Sequence, residues 1–318
     1  MSSDHLQRVL SDRGVASRRA CERLIRDGRV TVDGVVLADP AAMVDPRSHH
    51  IRVDGEALPP APKPAWLVLH KAKGCLTTRD DPEQRKTIWD DLPPLPSNVE
   101  AVGRLDFHTE GVLLLTNDGE LAYRLTHPSY GVPKTYLVKV SGTPELRKLK
   151  QIAKGVELED GPTGPALVRM VDARGPSSWL LIMIAEGRNR VVRRLIDHIG
   201  HRTLKLRRIG FGGITLRGLG PGEVREITPG ELEHLRRLTR EPGPARLESS
   251  PDIELAISEA LHLATPPEPR REPREPGQDA PPRKKGWARP KGGAVKPGWR
   301  KKAARMRRGV TVEHRGRD

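Results

Sequence analysis

The stretch Val102-Gly103-Arg104-Leu105-Asp106-Phe107-His108-Thr109-Glu110-Gly111-Val112-Leu113-Leu114-Leu115-Thr116-Asn117-Asp118-Gly119 decides the fold. One carboxylate, Asp106, follows Arg104 by two residues and stands just ahead of an apolar run. That run, Gly111 to Thr116, reads as a buried strand. Asp118-Gly119 then turns the chain into a short helix over Glu120 to Leu125. In extended backbone, residues i and i+2 point the same way, so Arg104 and Asp106 share a side.

Working outward, Ala65 to His70, Thr135 to Val140 and Trp179 to Ala185 alternate or run apolar as strands. Arg190 to Ile199 is helical, with Val191, Val192, Leu195, Ile196 and Ile199 along one side, and Gly200 stops it. Thr228, Pro229 and Glu231 spell a capping box with proline at the first helical position, opening a helix to about Leu238. The reading is α+β: a mostly antiparallel sheet with peripheral helices.

Composition divides the chain into residues 1–58, a proline-rich stiff linker at 59–64, a globular region at 65–240, and a tail at 241–318. The tail is rich in Pro, Gly, Arg and Lys and too poor in apolar residues to offset its ordering entropy, so it is expected to be disordered, with a weak helix near Ile253 to Leu263 as the exception. Between Arg283 and Arg317 it holds fourteen Lys/Arg against one acid, Glu313, with Trp287 and Trp299 interspersed as stacking residues. In the first unit, Ser17 caps a helix over Arg18 to Arg26. Ala20, Cys21, Leu24 and Ile25 lie on one face; Arg18, Arg19, Arg23 and Arg26 lie mainly on the other. Val30-Thr31-Val32 and Val35-Val36-Leu37 flank Asp33-Gly34 as a hairpin, and Asp54-Gly55 marks a second turn.

The chain has 318 residues, 56 Lys+Arg against 41 Asp+Glu, and a formal net charge of +15. Such a balance favours a polyanionic partner, since neutralised phosphates release counterions. Cys21 and Cys75 form neither a disulfide framework nor a zinc spacing. No segment has the apolar length of a membrane span, and Met1-Ser2-Ser3-Asp4-His5 does not open a signal peptide, so a cytoplasmic protein is expected. Gly210-Phe211-Gly212-Gly213 lacks the dinucleotide spacing, and no phosphate-binding Gly-Lys-Ser/Thr loop occurs. No paired carboxylates argue glycoside chemistry, and His49-His50 has no metal-ligand company.

A Gly-Arg-Leu-Asp turn followed by Thr-x-Gly and a Leu-rich strand resembles the active-site motif of pseudouridine synthases, closest to the branch acting on ribosomal RNA. Glu186-Gly187-Arg188-Asn189-Arg190-Val191-Val192-Arg193-Arg194-Leu195 resembles that family's third motif, with Val192 where glutamine is common. Lys134-Thr135-Tyr136 resembles its Lys-x-Tyr motif, and Lys71-Ala72-Lys73-Gly74 its Lys-Pro-x-Gly element. Ser-Arg-Arg before the first-unit helix and Gly-Arg-Val-x-Val-x-Gly after it resemble the S4 RNA-binding domain.

The resemblance implies an N-terminal S4 domain followed by a pseudouridine synthase catalytic domain. It implies Asp106 as nucleophile, Arg193 as its ion-pair partner, and Tyr136 stacked on the target base. Arg104, Lys134 and Arg188 become substrate-binding residues, joined by the S4 arginines Arg18, Arg19 and Arg23. Isomerising uridine is redox-neutral and donates no group, so no cofactor and no metal are expected. Attack at the uracil ring (C6) and attack at the sugar C1′ fit the residues equally. The expected partner is ribosomal RNA, leaning to the large-subunit 23S over the 16S RNA, with the protein a monomer. The rival from another class is a non-catalytic RNA-binding assembly factor.

Overall fold

The apolar run in Glu110–Thr116 is a strand buried on both faces: Val112 and Leu114 pack on one side of the sheet, Leu113 and Leu115 on the other. The computed structural model describes residues 3–96, 98–173, 175–244 and 247–264.

The N-terminal part carries helices α1 (Leu6–Asp12) and α2 (Arg18–Arg26) against a four-stranded sheet ordered Val35–Val36, Val30–Val32, Ile51–Val53, Glu56–Ala57. Ser17 Oγ accepts from Ala20 N and caps α2. Cys21 and Ile25 face inward with Leu6, Leu10, Val30 and Ile51, while Arg18, Arg19 and Arg23 stay exposed. Both hairpin turns, Asp33-Gly34 and Asp54-Gly55, hold two consecutive positive φ values, as a two-residue hairpin loop of type I′ requires. The linker residues are tied at their two ends, Arg13 Nη1 donating to Pro59 O and Asn117 Nδ2 to Lys63 O.

The larger part is organised on strands β1 (Trp66–Lys71), β2 (Glu110–Thr116), β3 (Lys134–Ser141), β4 (Leu167–Asp172), β5 (Ser177–Ile184), β6 (Thr203–Phe211) and β7 (Val224–Glu226). Their order across the sheet is β4-β5-β3-β6-β2-β1-β7. Every neighbouring pair is antiparallel except β6 with β2. That parallel seam rests on two register pairs, Arg207↔Glu110 and Arg208↔Gly111. β6 therefore joins two half-sheets, one carrying β2 and the other β3.

Helix α3 (Gly119–Thr126) is capped by Asp118, whose side chain accepts from Leu121 N. Its Leu121 and Leu125 bury with Val68, Val112, Leu114 and Phe211, next to α6 (Pro229–Leu238). The expected capping box of α6 is complete, and Arg225 adds two contacts to Glu231, at 2.8 and 2.9 Å. On the opposite face, α4 (Leu146–Lys154) and α5 (Val191–His198) cover Leu113, Leu115, Val138 and Ile182.

The region expected to be a disordered tail from 241 onward contains a packed element. α7 (Pro251–Ala264) lays Ile253, Ala256, Ile257 and Ala260 on Leu137, Leu181 and Ile209. Those four positions follow i, i+3, i+4 and i+7, a narrow stripe that only a waiting sheet surface turns into burial. Each buried isoleucine contributes roughly 1.5–3 kcal/mol. Gly210 makes the approach possible, since a Cβ there would lie 2.5 Å from Ile253 Cδ1. Glu254 adds an ion pair to Arg169 of β4. The basic run Arg283 to Arg317, with Trp287 and Trp299, lies outside the described residues.

Candidate active site

Asp106 occupies the loop that feeds β2, and that loop is held by its carbonyls. Lys71, at the end of β1, is fully buried. Its ammonium donates to the carbonyls of Ala72 (3.0 Å), Asp106 (3.2 Å) and Thr109 (3.0 Å), matching its three protons to three acceptors. Thr77 Oγ1 donates to Leu105 O, Gly74 N to Phe107 O, and Thr109 N back to Asp106 O. Burial pulls the Lys71 pKa below its usual value; Cys75, Asp106 and Glu110 work in the other direction.

The Asp106 carboxylate is one-third exposed and faces two arginines. Arg193 Nε, from the first turn of α5, lies 3.5 Å away, and Arg190 Nη1 lies 3.7 Å away. Arg193 also donates from Nη2 to Thr109 Oγ1 at 3.3 Å. Burial, and then Arg190, lower the Arg193 pKa. Arg190 holds φ +50° at the residue before α5, a left-handed conformation uncommon outside glycine.

The cleft around Asp106 has a volume of about 550 Å³. Tyr136, on β3, lines it and is 8% exposed, its ring packed into the core. Its cross-strand neighbour on β6 is Arg208, whose guanidinium lies beside the tyrosine hydroxyl. Arg208 is almost wholly buried; Nε donates to Val112 O at 2.7 Å, and the guanidinium sits 4.9 Å over the Phe211 ring. Its burial pushes its pKa down. Arg104 is exposed on the cleft rim with Asp106, as the i, i+2 spacing requires.

Residues 65–198 match the family model described as RNA pseudouridylate synthase, and residues 6–49 match the S4 domain. The chain is 40% identical over 237 residues to the ribosomal large subunit pseudouridine synthase B of Bacillus subtilis, covering 74% of this chain and 96% of that one. This chain belongs to the RNA pseudouridylate synthase family. It is also 41% identical over 243 residues to the ribosomal large subunit pseudouridine synthase B of Yersinia pestis, covering 74% and 76% of the two chains. A crystal structure of a pseudouridylate synthase, at 28% identity, superposes with a TM-score of 0.54 over 73% of this chain and 99% of that one.

Within this synthase Asp106, Tyr136, Arg104, Lys134 and Arg188 line one cleft, Arg193 is outside the lining and reaches Asp106 from α5, and the S4 arginines are not among the lining residues. The arginines divide by engagement. Arg188 donates to Glu186, to Asp160 and to the carbonyls of Asp160, Gly161 and Pro162. Its guanidinium thus clamps a neighbouring hairpin, which leaves little donor capacity for substrate. Arg194 pairs with Asp160 at 2.7 and 3.0 Å, away from Asp106. Arg190 is the cation that motif reading passed over. It lies inside the quoted Gly-basic turn, but its left-handed backbone removes it from the helical face by which Arg193 is recognised. Arg208 escaped for another reason, because a charged residue in a sequence does not announce burial, and the motif at Lys71 likewise gave no sign of its buried ammonium.

Lys134 is 6% exposed, donates to Val132 O at 3.3 Å and lies 5.3 Å over the Phe211 ring. Burial, and then repulsion from Arg208, bring its pKa down to about 8. Between pH 8 and the unfolded lysine value of about 10.4, the unfolded chain binds the extra proton, so stability rises with pH across that window. Lys134→Met is accordingly expected to stabilise the protein at pH 7 by about 2 kcal/mol, and by nothing once the pH exceeds the unfolded value. Urea unfolding at neutral and alkaline pH measures it, and a destabilised variant at pH 7 would show that the ammonium is well solvated where it lies.

Proposed function

We propose that this synthase converts one uridine of the large-subunit ribosomal RNA to pseudouridine, with Asp106 as nucleophile. The observation that carries the reading is the carboxylate held by its own loop carbonyls at the mouth of a cleft, facing Arg193 and Arg190, with Tyr136 on the cleft wall. The isomerisation breaks the C1′–N1 bond, forms C1′–C5 and moves the C5 proton. The Asp106 carboxylate attacks and holds the intermediate while the base turns. Tyr136 stacks on the uracil and receives or relays the C5 proton through its hydroxyl. Arg193, 3.5 Å from the carboxylate and bonded to Thr109 Oγ1, orients it for attack. Arg104, on the rim, fills the space left by the extruded nucleotide, where unstacking costs a few kcal/mol.

The large-subunit substrate is favoured by the relatives from Bacillus subtilis and Yersinia pestis, whose names carry it. The S4 arginines Arg18, Arg19 and Arg23 supply fixed cations for RNA phosphates. The same reading makes the protein cytoplasmic. No helix among the described residues is long and apolar enough to cross a membrane.

Carbodiimide primer-extension mapping of both ribosomal RNAs, from cells with and without the gene, tests the reading. One stop missing from 23S RNA is the expected result. A missing stop in 16S RNA would move the substrate, and intact stops in both would favour the non-catalytic assembly role.

A further inference from the structure

The helix that follows the nucleophile strand carries an arrangement that the chemistry at Asp106 does not use. Gly119, Tyr123, Thr126 and His127 stand at i, i+4, i+7 and i+8, on one side of α3 and its C-terminal cap. At the start of that row, a Cβ built on Gly119 would lie 3.6 Å from Arg18 Nη2, the first arginine of α2. At its far end, Thr126 lines the cleft together with Arg104 and Asp106. A rise of 1.5 Å per residue puts the two ends about 10 Å apart.

Between them the surface is aromatic. Tyr123 is 57% exposed, its ring centroid 4.9 Å from that of His127, and Tyr130 meets His127 edge-on at 6.4 Å. The core does not need Tyr123, since Leu121 and Leu125 are the buried anchors of α3. The chain has three tyrosines and two phenylalanines, and two of those five rings stand together in this small patch. His127 Nδ1 is fixed 2.7 Å from Ser129 Oγ, which orients its ring. Arg124 on the same helix is paired with Glu120, so the patch offers flat faces rather than free charge.

We infer that this face of α3 is a base-stacking track, carrying single-stranded RNA from the arginines of α2 to the mouth of the cleft, with Tyr123 and His127 as its platforms. The inference rests on the reading of RNA as substrate and adds a binding surface outside the cleft. Flat aromatic faces between two cationic sites are the arrangement by which proteins hold unpaired strands without reading their sequence.

The test compares the full chain with Tyr123→Ala and Tyr123→Phe, binding two probes: a single-stranded oligouridylate and an unmodified 23S RNA transcript. Tyr123→Ala is expected to weaken binding of both about tenfold, and Tyr123→Phe to stay within about twofold of the parent. The salt dependence should keep its slope in both variants, because no phosphate contact is removed. Parent-like binding by Tyr123→Ala overturns the inference. So does an equal loss in Tyr123→Phe, which would assign the effect to the hydroxyl. If the parent isomerises no uridine yet the contrast holds on oligouridylate, the function reading falls and the track stands. If the parent isomerises its uridine and both variants bind as it does, the track falls alone.

Discussion

Asp106→Asn is expected to slow isomerisation by at least about ten-thousand-fold while RNA binding changes by no more than about twofold. The substitution removes the nucleophilic charge and keeps the shape. The loop should not move, because Lys71, Thr77, Gly74 and Thr109 hold it through main-chain carbonyls and not through the Asp106 side chain. Release of tritium from C5-labelled uridine in a transcript reads the rate, since that hydrogen must leave in every turnover. A variant that still releases tritium at the parent rate would remove Asp106 as nucleophile. Lost binding together with lost activity would mean that the carboxylate shapes the cleft instead.

The second large effect is structural. Gly111→Ala is expected to destabilise the protein by about 4 kcal/mol. Gly111 has φ +118°, and a Cβ there would lie 2.1 Å from Arg208 O, a backbone atom that cannot rotate away. The clash falls on the two-pair seam between β2 and β6, which Arg207 reinforces with an ion pair to Glu110 at 2.7 Å. A drop of roughly 10 °C in the melting temperature is the expected reading for a domain of this size. An unchanged melting temperature would show that the seam relaxes freely and that the parallel pairing contributes little.

Much of this molecule is legible in its sequence where local chemistry and tertiary need agree. The Asp33-Gly34 turn, the Ser17 cap, the Thr228–Glu231 capping box and the apolar run before Thr116 each state their structure within a few residues. β6 does not. Thr203–Phe211 carries Lys205, Arg207 and Arg208, which break the alternation by which a central strand is recognised. Two of those charges are reconciled only by distant partners, Arg207 by Glu110 and Arg208 by Val112 O and Tyr136. α1 and α4 are similarly silent: neither His5 nor Glu145, the residue before each helix, makes a side-chain cap hydrogen bond. α7 was visible only as a weak helix because its partner surface belongs to strands far earlier in the chain. In the site, motif spacing points to Asp106, Tyr136 and Arg193, whereas the burial of Lys71 beneath Asp106 and the cation at Arg190 depend on where the backbone goes.

The place of β6 has a consequence in time. A ribosome delivers β1 and β2 with the Asp106 loop first, then β3 with Tyr136, and those two half-sheets share no strand pairing of their own. Only when Thr203–Phe211 has emerged can it slide between them, parallel to one and antiparallel to the other. Until then the nascent chain holds a carboxylate and a tyrosine with nothing to set their separation. This synthase thus lacks an assembled cleft until β6 has been made and inserted.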